Sequence, residues 1–179
     1  MKGRIKKVFD EWLVLSYRSG NKNALSVLVK KWNKKLIRHI YYKTHDLEVS
    51  KDIAQDCWIA IMRGVYSLND PAEFGVWALR IANNKAVDWI RQQEKNRKIF
   101  DQKPIPIAFV PETIGKDERI EKIQRGYNEI DHKHRIMLNL YYRQGYSVKQ
   151  MSKILKISEG TVKSRLFTAR NELKKIINS

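Results

Sequence analysis

SVKQMSKILKISEGTVKSRLFTAR, residues 147–170, reads as two helices joined by a tight turn. Ser147 followed three residues later by Gln150 is the pattern of a capping box, in which a side chain and a backbone N–H at each position satisfy one another. Tyr146 and Met151 are placed to staple that helix start. Ser158-Glu159-Gly160-Thr161 opens a second helix, with Ile157 and Val162 as its staple pair. Only a short connection around Lys156 lies between them. Two helices so joined, the second one basic, make a helix-turn-helix, whose second helix enters the major groove of DNA. Lys163, Arg165 and Arg170 are the candidate contacts, read as lying near the start of that helix. An arginine fork can bind guanine through two hydrogen bonds, so Arg165 and Arg170 are expected to read bases. Lys163 is a point charge suited to phosphate. The free N–H groups of Glu159 to Val162 can also hold a phosphate, which makes Ser158 and Thr161 caps first and DNA contacts second.

Upstream, residues 1–98 carry helical periodicity throughout. Leu25, Leu28, Val29, Trp32, Leu36 and Ile40 mark one face of a long helix; Ile53, Ala54, Cys57, Trp58, Ile61, Met62 and Val65 mark another. Trp32, Trp58 and Cys57 are therefore expected in a core. Asp70-Pro71-Ala72-Glu73 announces a third helix running to about Lys98, with a capping aspartate and proline at the first position. No stretch alternates with period two for long. The fold class is all-α: two small helical domains, residues 1–98 and 119–179, the second containing the helix-turn-helix. Residues 99–118 between them hold Pro104, Pro106 and Pro111, and proline forbids a continued helix. This extended linker also carries Ile105, Ile107, Phe109 and Val110. It reads either as a loop folded back on its own domains or as a segment that threads into a groove on a partner.

Charge narrows the function. The 179 residues hold 36 basic and 19 acidic side chains, net +17, and 42% are apolar. Such an excess on a globular chain points to a polyanionic partner, nucleic acid first and an acidic membrane surface second. The linker alone is acidic, so both helical modules are basic. One cysteine, Cys57, allows neither a disulfide nor a thiolate zinc site within the chain. No signal-peptide core opens the sequence and no run approaches a membrane span, so the expected compartment is the cytoplasm. No phosphate-binding loop and no His-Glu-x-x-His motif occurs. His132-x-His134 lacks a third ligand nearby and is read as surface. No metal, no cofactor and no enzymatic activity are expected.

Three stretches carry a resemblance. DIAQDCWIAIM at 52–62, FGVWALRIANNKAVDWIRQQ at 74–93 and SEGTVKSRLFTAR at 158–170 resemble, in order and separation, the bacterial RNA polymerase sigma factors of the extracytoplasmic-function type. The resemblance implies that the first stretch binds core RNA polymerase, with Gln55-Asp56 standing where a glutamine–acid pair is usual. The second resembles the helix that melts and reads the promoter's minus-ten element, matched at Phe74, Trp77, Arg80-Ile81-Ala82, Asn84, Asp88 and Arg91. The third looks like the minus-thirty-five recognition helix. An anti-sigma factor is a further partner that the resemblance implies. The chain departs from the family pattern in three places. It has Ile130-Asp131-His132 where a Leu-Pro pair is frequent, Thr168 in place of a basic residue, and Lys149-Gln150 in place of acidic residues.

Strand opening needs groups that stack on an unpaired base and read its edge. The turn Ser67–Phe74 and the helix after it supply Phe74, Trp77, Arg80, Asn83 and Asn84. Arg80, Asn84, Asp88 and Arg91 fall on one polar stripe at spacings of four, four and three, whereas Trp77 and Trp89 also follow the apolar spacing of a core. Two competing functions remain at this point. A stand-alone helix-turn-helix regulator would use residues 1–98 as a sensory domain with a ligand pocket. A nucleic-acid enzyme such as a recombinase would need a nucleophile amid clustered arginines, or metal-binding carboxylates, and no convincing cluster is present.

Overall fold

The computed structural model describes residues 2–97 and 129–178. The linker, with its apolar residues, lies outside the described residues, as does the start of the second module. Among the described residues there is helix and turn and no strand, as the all-α reading expects. The chain divides into two compact units.

The amino-terminal unit contains α1 (Lys2–Arg18), α2 (Lys22–Thr44), α3 (Leu47–Gly64) and α4 (Phe74–Arg97). Short polar residues set the joints. Asn21 caps α2 by accepting from the Asn23 N–H, and Asp46 caps α3 by accepting from the Val49 N–H at 3.0 Å. Two short 3-10 turns, Val65–Ser67 and Pro71–Glu73, lead into α4. Asp70 accepts from the Ala72 N–H at 3.0 Å, and proline at the next position has no N–H to leave unpaired. The Asp70 signal thus starts a single 3-10 turn, and α4 proper begins at Phe74.

Helix α2 is the centre of the unit and packs against α1, α3 and α4. Its stripe Leu28, Trp32, Leu36 and Ile40 is buried, while Leu25 and Val29 are half-buried at the flanks. On α3 the residues Ile53, Ala54, Cys57, Trp58 and Ile61 are buried. Met62, expected with them, is exposed, because its position is rotated about 100° from Ile61 and passes the edge of α2 and α4. Both core indoles find partners. The Trp32 Nε1–H donates to the Asp10 carboxylate at 3.0 Å, Asp10 pairs with Lys31 at 2.7 Å, and the Trp58 Nε1–H donates to Asn33 at 3.0 Å. Arg18 donates to the carbonyls of Val65 (3.0 Å) and Leu68, tying the 3-10 turn to the end of α1.

The carboxy-terminal unit holds α5 (His132–Leu138), which runs on into a π-helical turn at Asn139–Arg143, then α6 (Val148–Leu155) and α7 (Glu159–Asn178). Gly145, at φ +73, makes the bend before α6 that a side chain would resist. The capping box at Ser147 and Gln150 is formed in both directions. Lys156 closes α6 in the left-handed region, φ 54 and ψ 45, and its turn is held by Ser152 Oγ donating to the Ile157 carbonyl at 2.6 Å. Helix α5 lies on α7, with Ile130, Leu138 and Ala169 buried together and Leu173 and Ile176 packed against them. His134, read from sequence as a surface residue, instead reaches across this contact and meets the Glu172 carboxylate at 2.7 Å. The i+2 spacing to His132 hid a partner 38 residues away.

One buried group makes stability depend on pH. His39 is buried on α2 with neither ring nitrogen hydrogen-bonded, and burial, aided by Lys43, pushes its imidazole down from 6.5 to about 3. The folded-state value is depressed, so above pH 6.5 the ring is neutral in both states and carries no protonation cost. As pH falls below 6.5 the unfolded chain takes up a proton that the folded chain refuses. Stability then drops by up to about 1.4 kcal/mol per pH unit. Between pH 6.5 and 5, above the range of ordinary carboxylates, thermal melting should show this slope in the wild type and lose it in His39→Leu. The variant should be at least as stable at pH 7, since it removes a buried polar ring without partners. An unchanged slope would assign the acid sensitivity elsewhere.

Candidate nucleic-acid interface

On α7 the buried residues Val162, Leu166 and Ala169 turn one stripe toward the unit's own core. Lys163, Ser164, Arg165, Phe167, Thr168 and Arg170 are exposed. Ser158 and Thr161 are engaged with each other. Ser158 Oγ accepts from the Thr161 N–H at 3.1 Å and lies 2.8 Å from the Thr161 hydroxyl. Ser158 therefore serves as the cap of α7 in this structure, with the Thr161 hydroxyl bonded to it. At about 3.6 residues per turn, Lys163 and Arg170 share one edge of α7, and Arg165 lies on the opposite edge, roughly 160° around. Arg170 does not cluster at the helix start. It sits about three turns along α7, with its guanidinium over the rings of Tyr141 and Tyr142. Sequence reasoning passed over Phe167, which is 65% exposed. A large apolar side chain on an outer face can meet a thymine methyl in the major groove. Its signal was present: Phe167 follows Leu166 directly and so falls outside the Val162, Leu166, Ala169 spacing.

On α4 the polar stripe is real. Arg80, Asp88 and Arg91 are exposed, Asn84 is half-buried, and Arg91 lies 3.9 Å from Asp88. Two expected base contacts are corrected. Phe74 is 0% exposed and packs edge-on against Trp32 at 5.8 Å, so it is a core residue with no face left for a base. Asn83 is 4% exposed, and its Oδ1 is buried without a partner among the described residues, so its amide edge points away from solvent. Trp77 is half-buried: it lies 6.1 Å from the Phe74 ring and closes over Gly64, where a Cβ would come within 3.1 Å of its Cζ2. Trp89 is likewise half-buried.

On α3, Gln55 and Asp56 are exposed, opposite the buried Ile53, Cys57 and Ile61. Asp56 lies 3.7 Å from Lys85 of α4 in an exposed pair of small energetic weight. Ile59, Met62 and Tyr66 are exposed on and just beyond the same helix, and of these only Met62 had been read into the core stripe. The Cys57 thiol is buried and pushed up to about 12, chiefly by desolvation, with Lys85 opposing and Asp56 adding to the shift.

Residues 28–96 match the family model described as Sigma-70 region 2, and residues 122–173 match Sigma-70, region 4. The chain belongs to the sigma-70 family and is an RNA polymerase sigma factor of the extracytoplasmic-function type. The region 2 match fills the module that a stand-alone regulator would have used for sensing. Among its relatives, the sigma factor YlaC of Bacillus subtilis is 23% identical over 167 residues, covering 87% of this chain and 92% of that one. The extracytoplasmic-function sigma factor SigM of Mycobacterium tuberculosis is 25% identical over 168 residues, covering 94% and 84%. In fold the sigma factor is similar to RpoE of Bartonella quintana, solved in complex with the anti-sigma factor NepR. The TM-score is 0.71 at 19% identity, over 86% of this chain and 96% of that one. CnrH, solved with the cytosolic domain of CnrY, gives a TM-score of 0.63 at 21% identity.

Core and surface assignments on α4 separate by stability. Phe74→Ala should cost about 3–5 kcal/mol of unfolding free energy, while Arg80→Ala should stay within about 0.5 kcal/mol. Urea denaturation of the two variants measures this. Equal stability of Phe74→Ala and wild type would return Phe74 to the surface.

Proposed function

We propose that this sigma factor binds core RNA polymerase through the outer face of α3, with Gln55 and Asp56. Helix α7 then sits in the major groove of an upstream promoter element, and the stripe on α4 holds the unpaired strand of the minus-ten element. Residues 1–98 thus serve polymerase binding and strand opening, 119–179 serve duplex recognition, and 99–118 join them. The polymerase performs the chemistry; the sigma factor is no enzyme and takes no cofactor. One observation carries this reading. On α4 and α7 alike, apolar residues face the unit's own core, and the residue types that read bases or phosphates lie away from it: Arg80 exposed and Asn84 half-buried on one, Lys163 and Arg165 exposed on the other. An anti-sigma factor is proposed as a further partner, because RpoE of Bartonella quintana was solved with one. No described helix is long and apolar enough to cross a membrane; the proposed partnership with RNA polymerase supports a cytoplasmic location.

The modules should fail separately. Asp56→Arg weakens capture of core polymerase at unchanged helix content. Arg165→Ala removes about 1–3 kcal/mol of discrimination at the upstream element. Lys163→Ala weakens binding to all sequences and lowers the salt slope by about one. Arg80→Ala and Asn84→Ala spare upstream binding by the holoenzyme but slow opening, read as permanganate reactivity of unpaired thymines. Normal opening of double-stranded promoter by both variants would reduce the amino-terminal unit to a polymerase adaptor. Undiminished capture by Asp56→Arg would remove the α3 assignment.

A further inference from the structure

Arg170 is the one cation of α7 recorded over aromatic rings among the described residues. Its guanidinium carbon lies 5.3 Å from the Tyr141 ring centre and 5.6 Å from that of Tyr142. The two rings meet edge-on, 5.0 Å apart at 80°. Consecutive residues of an α-helix point about 100° apart and would not ordinarily converge on one cation. Here they belong to the π-helical turn Asn139–Arg143, closed by the Gln144 N–H donating to the Asn139 carbonyl at 3.0 Å. Single π-turns recur at functional sites. Tyr142 is 63% exposed, so the arrangement does not bury that ring in a core.

A guanidinium held against aromatic rings by cation–π attraction keeps N–H donors for a further partner. The contact also restricts a side chain that is otherwise among the most flexible. Arg170 is therefore restrained by the two rings while remaining exposed on α7. Its place is about three turns from the start of α7, roughly 16 Å along the axis. In a helix-turn-helix the base edges are met by the first turns of the recognition helix. Lys163 precedes Arg170 by two turns on the same edge, so the two charges form a line along one side of α7.

We propose that Tyr141 and Tyr142 are positioning residues that hold Arg170 against the DNA backbone beside the upstream element, making it a phosphate clamp and not a reader of guanine. The inference rests on the reading of α7 as the duplex-binding helix. Phosphate contacts set register and orientation and carry no sequence information. The clamp therefore adds affinity that is the same for every sequence, and it removes Arg170 from the base readers named above.

The test uses RNA polymerase holoenzyme assembled with the full-length sigma factor. Its probes are a fluorescent duplex selected by the wild-type holoenzyme from a random pool and a duplex of shuffled sequence. Arg170→Ala is expected to weaken both duplexes by the same factor, about threefold to tenfold at low salt, and to lower the salt slope by about one. Tyr142→Ala is expected to reproduce part of that loss with the same indifference to sequence. Tyr142→Phe keeps the ring and is expected to bind as wild type. The double variant Arg170→Ala with Tyr142→Ala is expected to be no weaker than Arg170→Ala alone. A loss confined to the selected duplex overturns the proposal, as do additive losses in the double variant or a Tyr142→Phe defect equal to that of Tyr142→Ala. A wild-type holoenzyme that binds neither duplex removes the reading of α7 as well; wild-type binding with additive losses removes only the clamp.

Discussion

The amino-terminal unit depends on how one indole N–H is satisfied inside a core. Trp32 stands mid-way along α2, and its Nε1–H must find an acceptor away from water. It finds Asp10 of α1 at 3.0 Å. A buried carboxylate needs a counter-charge, and Lys31, Trp32's own neighbour, supplies it at 2.7 Å. Phe74 then meets the open edge of the indole at 5.8 Å and fixes where α4 begins. Three helices are thus referred to one side chain, and the direction of α4 follows from it. Since Arg80, Asn84, Asp88 and Arg91 project from the far side of α4, the surface proposed for strand capture is aimed by a hydrogen bond it does not touch.

The carboxy-terminal unit solves a similar problem with less material. Its described helices are short apart from α7, and a small unit has little core to spend. Ile130, Leu138 and Ala169 seat α5 on α7, and His134 with Glu172 adds a polar pin to the same contact. Caps at Ser147 and Ser158 and the left-handed Lys156 define the corner between α6 and α7. Each of these groups acts on the backbone or the core. The outer residues of α7 are consequently free to vary without unsettling the frame.

Much of this was legible before any coordinates. The stripe Leu28, Trp32, Leu36, Ile40 and the box Ser147–Gln150 are local patterns, and local patterns survive in the fold. The sigma-factor resemblance located the working helices. It did not say which member of a motif faces outward. Phe74 is a matched residue and Asn83 stands between matched ones, yet both are buried, Phe74 against Trp32 of α2. Met62 failed in the other direction, because periodicity gives an angle around a helix and not the width of what covers it, and Phe167 was passed over although the spacing already set it outside the buried stripe. Arg170 was read as lying near the start of α7, though counting from Glu159 already puts it about three turns along; what the charge pattern of α7 could not show is its pairing with Tyr141 and Tyr142, well back along the chain. That pairing needs a π-turn, which departs from the very spacing by which helices are recognised. His134 and Glu172 escaped for the same reason of distance along the chain.

Cys57 carries a consequence of another kind. Its thiol is the only one in the 179 residues, it is sealed under α3, and burial keeps it protonated far above physiological pH. Attack on peroxide or on a disulfide requires a thiolate with access to solvent. Oxidants therefore have no sulfhydryl foothold in this chain, and a thiol-based stress signal would have to be sensed by another protein and delivered as a change in binding. The same silence is useful at the bench: a cysteine placed on an outer position such as Thr168 would be the one that a maleimide dye finds.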